Sequence, residues 1–316
     1  MLRPHPTPTA AVRWLLAAQA QDLPAARWAI GLRVPGSTDA AINQAISTGE
    51  IVRTHLLRGT WQLVLPADLG RLLPLVAPTV LAGNARRYQQ LRLDGATLER
   101  ADALLCGALA SGNQTRKALG EALAAGGIDP TGQRLPYMLQ HAELCGHICS
   151  GEMHGKKPTY ALLRDRTHTQ PAASLAAVAA RYFSSRPRAT DDDFFWWTGL
   201  PRAPLPPRPQ TTDEPPSTHL LPAFDEQLVS YRHRDHILDP AHARRINAGG
   251  GMIAPSVLLR GRIVGRWRRK VRARHVDITV SPFLPLSAAD HGELSAAAAR
   301  YGAFLAREAT LTISER

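Results

Sequence analysis

The sequence predicts an α+β protein of tandem winged-helix domains followed by a small C-terminal β-barrel. Two observations predict this class. First, capped helical segments are followed by pairs of strand-like runs, and this order occurs twice within residues 1–168. Helices followed by a β-hairpin make a winged helix. Second, a proline-rich stretch precedes several β-rich runs, an alanine-rich helix over residues 287–307 and a short closing strand. A small barrel crossed by one helix would fit that order.

The first winged helix is predicted over residues 1–95. Residues 9–32 are expected to form one helix, interrupted near Pro24, and Thr38 is expected to cap the next short helix. Two strand-like runs joined by Arg58 and Gly59 then form the first wing.

A second winged helix is predicted over residues 96–168. Thr115 is expected to cap its middle helix. Residues 133–146 form a candidate second recognition helix, and the strand-like runs of residues 147–163 make its wing. A third unit over residues 169–200 starts in the same way, with Thr190 as a helix cap.

The segments that follow have a different composition. Residues 201–217 contain seven prolines, which forbid a continuous helix, and are expected to form an irregular linker. Residues 218–316 are predicted to form the barrel-like domain, including the runs HLLPAFDEQLVSYR, SVLLRGRIVGRW and HVDITVSPFL as β-rich segments.

The amino-acid composition indicates which classes of partner the protein can bind. The chain has 316 residues, a net charge of +12 and a pI of about 10.4, which favours a polyanion such as nucleic acid. No run approaches the ~18 apolar residues that a membrane span needs, and the first ten residues lack a secretory signal. Three cysteines do not form a disulfide framework. We expect a cytoplasmic, nucleoid-associated protein with no membrane partner, and nothing demands a dimer, so a monomer is expected.

The most informative run is QAQD, residues 19–22, in an otherwise apolar and basic segment. Buried amides are costly unless their donors and acceptors are used. Gln19 and Gln21 are therefore either a helix-end pair with ordinary solvent contacts or a pair that holds a water against a reacting centre. Asp22 either caps the following turn, which we favour, or stabilises a cationic sugar.

Three more segments join QAQD in a family pattern: RTHLLRGTWQLV (residues 53–64), GKKPTYALL (155–163) and LLPAFDE (220–226). Together the four resemble the AlkZ/YcaQ family of winged-helix DNA glycosylases, over roughly residues 10–200 and 218–312. The resemblance implies excision of bulky N7-alkylated purines from double-stranded DNA, including interstrand crosslinks. It also implies that Gln19 and Gln21 are the catalytic pair.

This chain departs from the family at the third winged helix. After the segment DFFWWTGL (residues 193–200), family members continue into a further helix and a wing, whereas this chain enters the proline-rich linker at once. We therefore predict that the third unit is truncated, and the resemblance does not carry the DNA contact of the family's third recognition helix over to this chain.

The chemistry suits two glutamines. N7 alkylation makes the base a good leaving group, so the enzyme needs mainly to place a water and stabilise developing charge. A glutamine carbonyl accepts a water proton without titrating near neutral pH. On an ideal helix Gln19 and Gln21 would point about 200° apart, so the helix must end or unwind there. No lysine lies beside them, which favours a monofunctional glycosylase without a lyase step.

Three basic sets are candidate DNA contacts. Eight cations and no acid lie within residues 260–274, and the change of parity there predicts a hairpin tip or bulge that binds phosphate. The alternative for that run is a solvated edge strand, and for the two wings it is ordinary surface charge. The predicted DNA-binding residues are Arg53, His55 and Arg58 on the first wing, Lys156 and Lys157 on the second, and Arg266, Arg268, Arg269, Lys270, Arg272 and Arg274 in the hairpin.

Two other patterns are given non-catalytic interpretations. His141, Cys145, His147, Cys149 and His154 match no common structural zinc spacing, so no metal is predicted, and no cofactor motif is present. The aromatic run of residues 194–197 is assigned to the core rather than to base stacking. The alternative function is a non-catalytic winged-helix regulator or architectural protein, which would not need the glutamine pair.

Overall fold

The computed structural model describes residues 1–153, 157–167, 171–209, 217–247, 249 and 251–314. The chain divides into two compact units that are discontinuous in sequence. The first unit comprises Met1–Gln44, Tyr182–Trp197 and Arg208–Arg316, and the second comprises Ala45–Arg181 and Thr198–Pro207.

The described residues form twelve α-helices. They are α1 (Pro8–Leu15), α2 (Leu23–Gly31), α3 (Asp39–Ser47), α4 (Pro66–Gln90), α5 (Gly95–Leu109), α6 (Arg116–Ala125), α7 (Arg134–Leu144), α8 (Leu175–Ser185), α9 (Asp191–Thr198), α10 (Glu226–Val229), α11 (Ala243–Ile246) and α12 (Ala288–Phe304). No helix among them is both long enough and apolar enough to cross a membrane.

Eleven strands accompany these helices in the same residues. They are β1 (Ala17–Gln19), β2 (Val52–His55), β3 (Trp61–Val64), β4 (Gln114–Thr115), β5 (Ile148–Ser150), β6 (Thr159–Leu162), β7 (His219–Leu221), β8 (Ser256–Leu259), β9 (Arg262–Val271), β10 (His275–Pro282) and β11 (Glu308–Ile313). The prediction of an α+β fold is confirmed.

The prediction of one helix over residues 9–32 is wrong. Helix α1 ends at Leu15, Leu16 has a left-handed backbone (φ 67°), and the chain is extended in β1 before α2 begins at Leu23. The physical reason is remote in sequence. The guanidinium of Arg186 donates to the carbonyl oxygens of Leu15 and Ala17, at 3.0 and 3.5 Å, and takes them out of the helical pattern.

Helix α4 is a long helix that the sequence analysis did not identify. It contains Pro74 and Pro78, which normally break a helix interior. These prolines are four residues apart and both are exposed, so their missing N–H groups lie on the solvent side, where helices tolerate curvature.

The second unit contains two antiparallel hairpins. Strands β2 and β3 pair from Val52 opposite Val64 to His55 opposite Trp61. Strands β5 and β6 pair in the three-stranded sheet β4-β6-β5. Helices α5, α6 and α7 surround a core that contains Leu105, Leu119 and Met138. Thr115 caps α6 through a hydrogen bond from the amide of Ala118, as predicted.

In the first unit, a five-stranded sheet has the order β11-β10-β9-β8-β7. Strand β10 pairs antiparallel with β9 and parallel with β11. Strands β7 and β11 are edges, so the described strands do not close into a barrel. The segment LLPAFDEQLVSYR is less β-rich than predicted, because Pro222 follows β7 and Asp225 caps α10 through the amide of Gln227.

The region after α9 was predicted to lack a complete winged helix. Residues 199–209 form neither helix nor strand. The remaining part of the predicted linker includes residues 210–216, which lie outside the described residues.

Candidate active site and nucleic-acid surfaces

Gln19 lies at the end of strand β1, where its main chain is fixed by a buried carboxylate. The amide of Gln19 donates to Oε1 of Glu226 at 2.8 Å. The residue is only 9% exposed, whereas Gln21 is exposed in the bend that follows. Because the chain is extended at β1, the geometric condition that the helix must end before the two glutamines is met.

Glu226 is held in turn by a buried ion pair. Its Oε2 accepts from Nη2 of Arg186 at 2.8 Å, from Nε1 of Trp197 at 3.2 Å and from the hydroxyl of Ser230. The side chains of Arg186 and Glu226 are 0% and 1% exposed. Arg186 also donates to the carbonyls of Leu15 and Ala17, which lie on either side of Leu16. One guanidinium therefore connects Glu226 to the main chain on both sides of the point where α1 ends.

A second buried pair supports the same part of the first unit. Arg33 binds Asp225 through two parallel contacts, Nη1 to Oδ2 at 3.0 Å and Nη2 to Oδ1 at 2.9 Å, and neither side chain is exposed. Bidentate geometry of this kind adds orientation as well as energy. Arg33 also donates to the carbonyl of Met1 at 3.0 Å.

The two acids of the LLPAFDE segment, Asp225 and Glu226, were not among the predicted site residues. A sequence signal existed: two adjacent carboxylates directly after an apolar run are costly to bury unless they are paired. Their partners, Arg33 and Arg186, lie 192 and 40 residues away along the chain. No local spacing connects them, so only the fold reveals the pairs.

Asp22 is the N-cap of α2. Its Oδ1 accepts from the amide of Ala25 at 3.1 Å, and Pro24 occupies the first turn. The favoured interpretation of Asp22 as a cap is confirmed.

The predicted basic hairpin is present in the first unit. Strands β9 and β10 are joined by a turn at residues 272–274, which explains the change of parity in the sequence. Arg266, Arg268 and Lys270 alternate with buried or half-buried residues and are exposed; we name these three the basic strand face. Opposite them on β10 lie Ser281, Thr279 and Asp277, in that order.

The other predicted residues of the hairpin have different surroundings. Arg269 has the opposite parity, and its guanidinium lies 5.7 Å from the ring centre of Tyr301, whose pKa burial raises to about 12. Arg272 forms an ion pair with Asp277 at 3.2 Å. Arg274 is exposed in the turn.

In the second unit, the first hairpin carries Arg53 and His55 on one aromatic ring. The guanidinium of Arg53 lies 3.9 Å from the ring centre of Trp61, and the imidazole of His55 lies 4.0 Å from it. His55 Nδ1 also contacts the carboxylate of Glu143 on α7. Burial raises the pKa of Glu143 above its usual value, while His55 and Arg53 oppose the shift.

The tip of this hairpin is also braced by α7. Gln140 donates to the carbonyl of Gly59 at 2.8 Å. Arg58 has a left-handed backbone (φ 54°), and a Cβ at Gly199 would meet its Cγ at 2.8 Å. On the second wing Lys157 is exposed at the start of the returning strand, and Lys156 lies outside the described residues.

The aromatic run of α9 is mainly core, as predicted. Phe194, Phe195 and Trp197 are buried, whereas Trp196 is 43% exposed. The indole nitrogen of Trp197 donates to Glu226 beside Gln19.

The first unit thus combines an extended main chain at Gln19, two buried ion pairs and a basic strand face in a strongly basic α+β chain. The chain belongs to the AlkZ-like DNA glycosylases. The family model described as "DNA glycosylase AlkZ-like" matches residues 12–209 and 201–304. The predicted family and the predicted enzyme class, a DNA glycosylase, are confirmed, and the non-catalytic alternative is not supported.

Two comparisons agree with this family. The chain is 24% identical over 326 residues to the "Interstrand DNA cross-link repair glycosylase" of Streptomyces sahachiroi, covering 89% of this chain and 86% of that protein. It also resembles the solved structure of the Streptomyces sahachiroi DNA glycosylase AlkZ, with a TM-score of 0.77 and 18% identity. That superposition covers 99% of this chain and 95% of the other, and it shows a shared fold.

Proposed function

We propose that this protein is a monofunctional DNA glycosylase that hydrolyses the N-glycosidic bond of bulky N7-alkylated purines, with interstrand crosslinks among its substrates. Gln19 and Gln21 position the attacking water. The observation that carries the proposal is the fixed, extended main chain at Gln19, bound to Glu226 and reinforced by Arg186.

Two contributions are expected to lower the activation barrier for hydrolysis of an N7-alkylpurine: placement of the water and stabilisation of the sugar charge. A cationic N7-alkylpurine leaves without strong acid catalysis, so the barrier is lowered by a placed water and by dipoles that face the developing sugar charge. Amide oxygens do this at constant charge. A rigid backbone support makes the arrangement preorganised, which is the property that electrostatic catalysis requires.

The direct test is release of free base. The protein is incubated with duplex DNA that carries one N7-alkylguanine, and then with a duplex that carries an N7-linked interstrand crosslink. From the first duplex we expect free modified base. From the crosslinked duplex we expect hydrolysis of one N-glycosidic bond, which separates the strands and leaves the adduct on the other strand. In both cases the abasic strand should stay intact, because no amine lies in the QAQ run to open the sugar. Strand cleavage without alkali, or no base release from either duplex, would contradict the proposal.

The partner we propose is double-stranded DNA, bound by a monomer. The helix–hairpin arrangements would act as winged helices, and the basic strand face would contact phosphates. Arg53, Arg58 and Lys157 are further candidates for backbone contacts. For His55 the proposed contact can use only the part of the imidazole that does not face Glu143.

Salt dependence tests the basic strand face. Replacing Arg266, Arg268 and Lys270 together by alanine should reduce the slope of log affinity against log salt by roughly 2–3 units, since each phosphate contact contributes about 0.9. Fluorescence anisotropy with an undamaged duplex at several salt concentrations measures this slope.

A second variant tests whether the slope changes because phosphate contacts are lost or because the net charge of the protein falls. Arg244 and Arg245 are exposed in helix α11 and do not belong to any strand of the sheet. Replacing both by alanine should leave the slope almost unchanged. Equal slopes for the triple variant and the wild-type protein would show that the basic strand face does not touch DNA.

A further inference from the structure

Four side chains capable of binding metals meet at the end of α7 in the second unit. His141 lies in the last turn of α7, Cys145 is its C-cap residue, and His147 follows two residues later. Asp102 extends from α5. Its Oδ2 lies 3.0 Å from Nδ1 of His141 and 3.6 Å from Nε2 of His147. The sulfur of Cys145 lies 3.6 Å from Nε2 of His141.

The spacing of three of these groups is close to that of a metal site. The ligand atoms of Asp102, Cys145 and His147 all lie within 4.8 Å of one another. Around a tetrahedral Zn²⁺, bonds of about 2.0–2.3 Å separate ligand atoms by about 3.3–3.8 Å. Since Cys145 and His147 are exposed, small side-chain rotations can close the difference.

A second, independent observation supports a ligand at this cluster. Asp102 is 7% exposed, and its Oδ1 is a buried oxygen without a hydrogen-bond partner among the described residues. An unsatisfied buried carboxylate oxygen carries a desolvation cost. A cation next to Asp102 would remove that cost and would neutralise the carboxylate and a thiolate together.

We propose that Asp102, Cys145 and His147 bind a divalent cation of the Zn²⁺ class, with His141 as a positioning residue that orients Asp102. Thiolate, imidazole and carboxylate form a donor set of intermediate softness, which suits Zn²⁺ and its neighbours rather than Mg²⁺ or Ca²⁺. Three protein ligands leave a fourth position for water.

The fold explains why the sequence pattern did not predict this site. Cys149 was grouped with these residues, but it is fully buried and its thiol donates to the main chain of Ser150. The missing ligand, Asp102, lies on another helix, and no sequence spacing connects it to Cys145. His154 lies outside the described residues.

The same cluster contains the Cys–His–Asp order of a thiol nucleophile, but its location argues against that role. Cys145 lies at the C-terminal end of α7, where the helix carbonyls disfavour a thiolate, unlike the N-terminal positions that activate cysteines. A cation overcomes this penalty, because coordination stabilises the thiolate and the thiol proton is released to solvent. The cation would fasten α5 to the α7–β5 junction.

Cobalt titration of the full-length protein tests the site. The protein is stripped with a chelator and titrated with Co²⁺ alone, and Zn²⁺ is then added as a competitor. We expect one equivalent of Co²⁺, tetrahedral visible bands and a thiolate-to-cobalt charge-transfer band, all displaced by Zn²⁺. Zn²⁺ at about 100 times its Kd should raise the melting temperature by roughly 4 °C.

The variants separate ligands from neighbours. Cys145→Ser should abolish the charge-transfer band, and Cys145→Ser, His147→Ala and Asp102→Asn should each weaken binding by more than ~100-fold, beyond the ~10–100-fold expected for His141→Gln as an outer residue. Cys149→Ala and His291→Ala remove a thiol and an imidazole elsewhere and should bind like the wild-type protein.

Two results would overturn the proposal. One is the absence of stoichiometric Co²⁺ binding, or equal affinities in Cys145→Ser, His147→Ala and the control variants. The other is iodoacetamide labelling of Cys145 at the same rate with and without Zn²⁺, which would favour a reactive thiol instead. Cys145 and His147 are exposed, so their variants should fold even if Asp102→Asn does not, and circular dichroism of each metal-free variant checks this.

Discussion

Gln21→Ala is expected to lower the rate of base release by at least ~100-fold, the loss typical of one well-placed polar group in a transition state. Gln19→Ala should have an effect of the same order, because its main chain is fixed by Glu226 and its side chain therefore starts from a defined position. The measurement is single-turnover excision from a duplex with N7-alkylguanine, at saturating protein.

DNA affinity and a matched glutamine serve as controls. Affinity for the duplex should change little in both variants, since the interaction is made in the transition state. Gln44→Ala removes an exposed glutamine near the end of α3 and should keep the wild-type rate. If Gln19→Ala and Gln21→Ala also keep it, the assignment of the pair is wrong.

Glu226→Gln is expected to reduce both stability and catalysis. The neutral amide cannot accept from Arg186, Trp197 and Ser230 as the carboxylate does, and it leaves the fully buried Arg186 without a counter-charge. Removing one partner of a buried pair costs about 3–5 kcal/mol. Urea denaturation measures the loss. Because the support of Gln19 is weakened at the same time, we expect base release to fall by more than ~10-fold.

Asp225→Asn distinguishes positioning from general destabilisation. It breaks the other buried pair, with Arg33, in the same unit, and should cost a similar free energy of unfolding. However, the Glu226 carboxylate accepts from the amide of Gln19, whereas the Asp225 carboxylate accepts from Arg33 and from the amide of Gln227. Assayed well below both melting temperatures, Asp225→Asn should retain more activity than Glu226→Gln. Equal losses would show that Glu226 acts only through stability.

Local patterns predicted those parts of the structure that local forces determine. Thr115 and Asp22 cap helices as expected, because capping depends on a residue and the amides two or three positions later. The turn after Val271 was visible as a change of parity, since a strand alternates faces with a period of two.

The parts that failed depend on distant residues. Residues 16–22 have the composition of a helix, but the buried guanidinium of Arg186 binds the carbonyls of Leu15 and Ala17 where α1 ends. In the same way, the family resemblance indicated Gln19 and Gln21, but neither resemblance nor spacing indicated that Glu226 supports them. Pairings over 40 or 207 residues leave no periodic signal in a single sequence.

The link between Glu226 and the break after α1 bears on how such a chain can evolve. A gene that lost everything after the proline-rich linker would still encode QAQD and both helix–hairpin segments of the second unit. Its product would carry Arg186 without an acid and Gln19 without its acceptor. We therefore expect such a fragment to be destabilised and to lack the support of the main chain at Gln19, so that the segments on the two sides of the linker depend on each other.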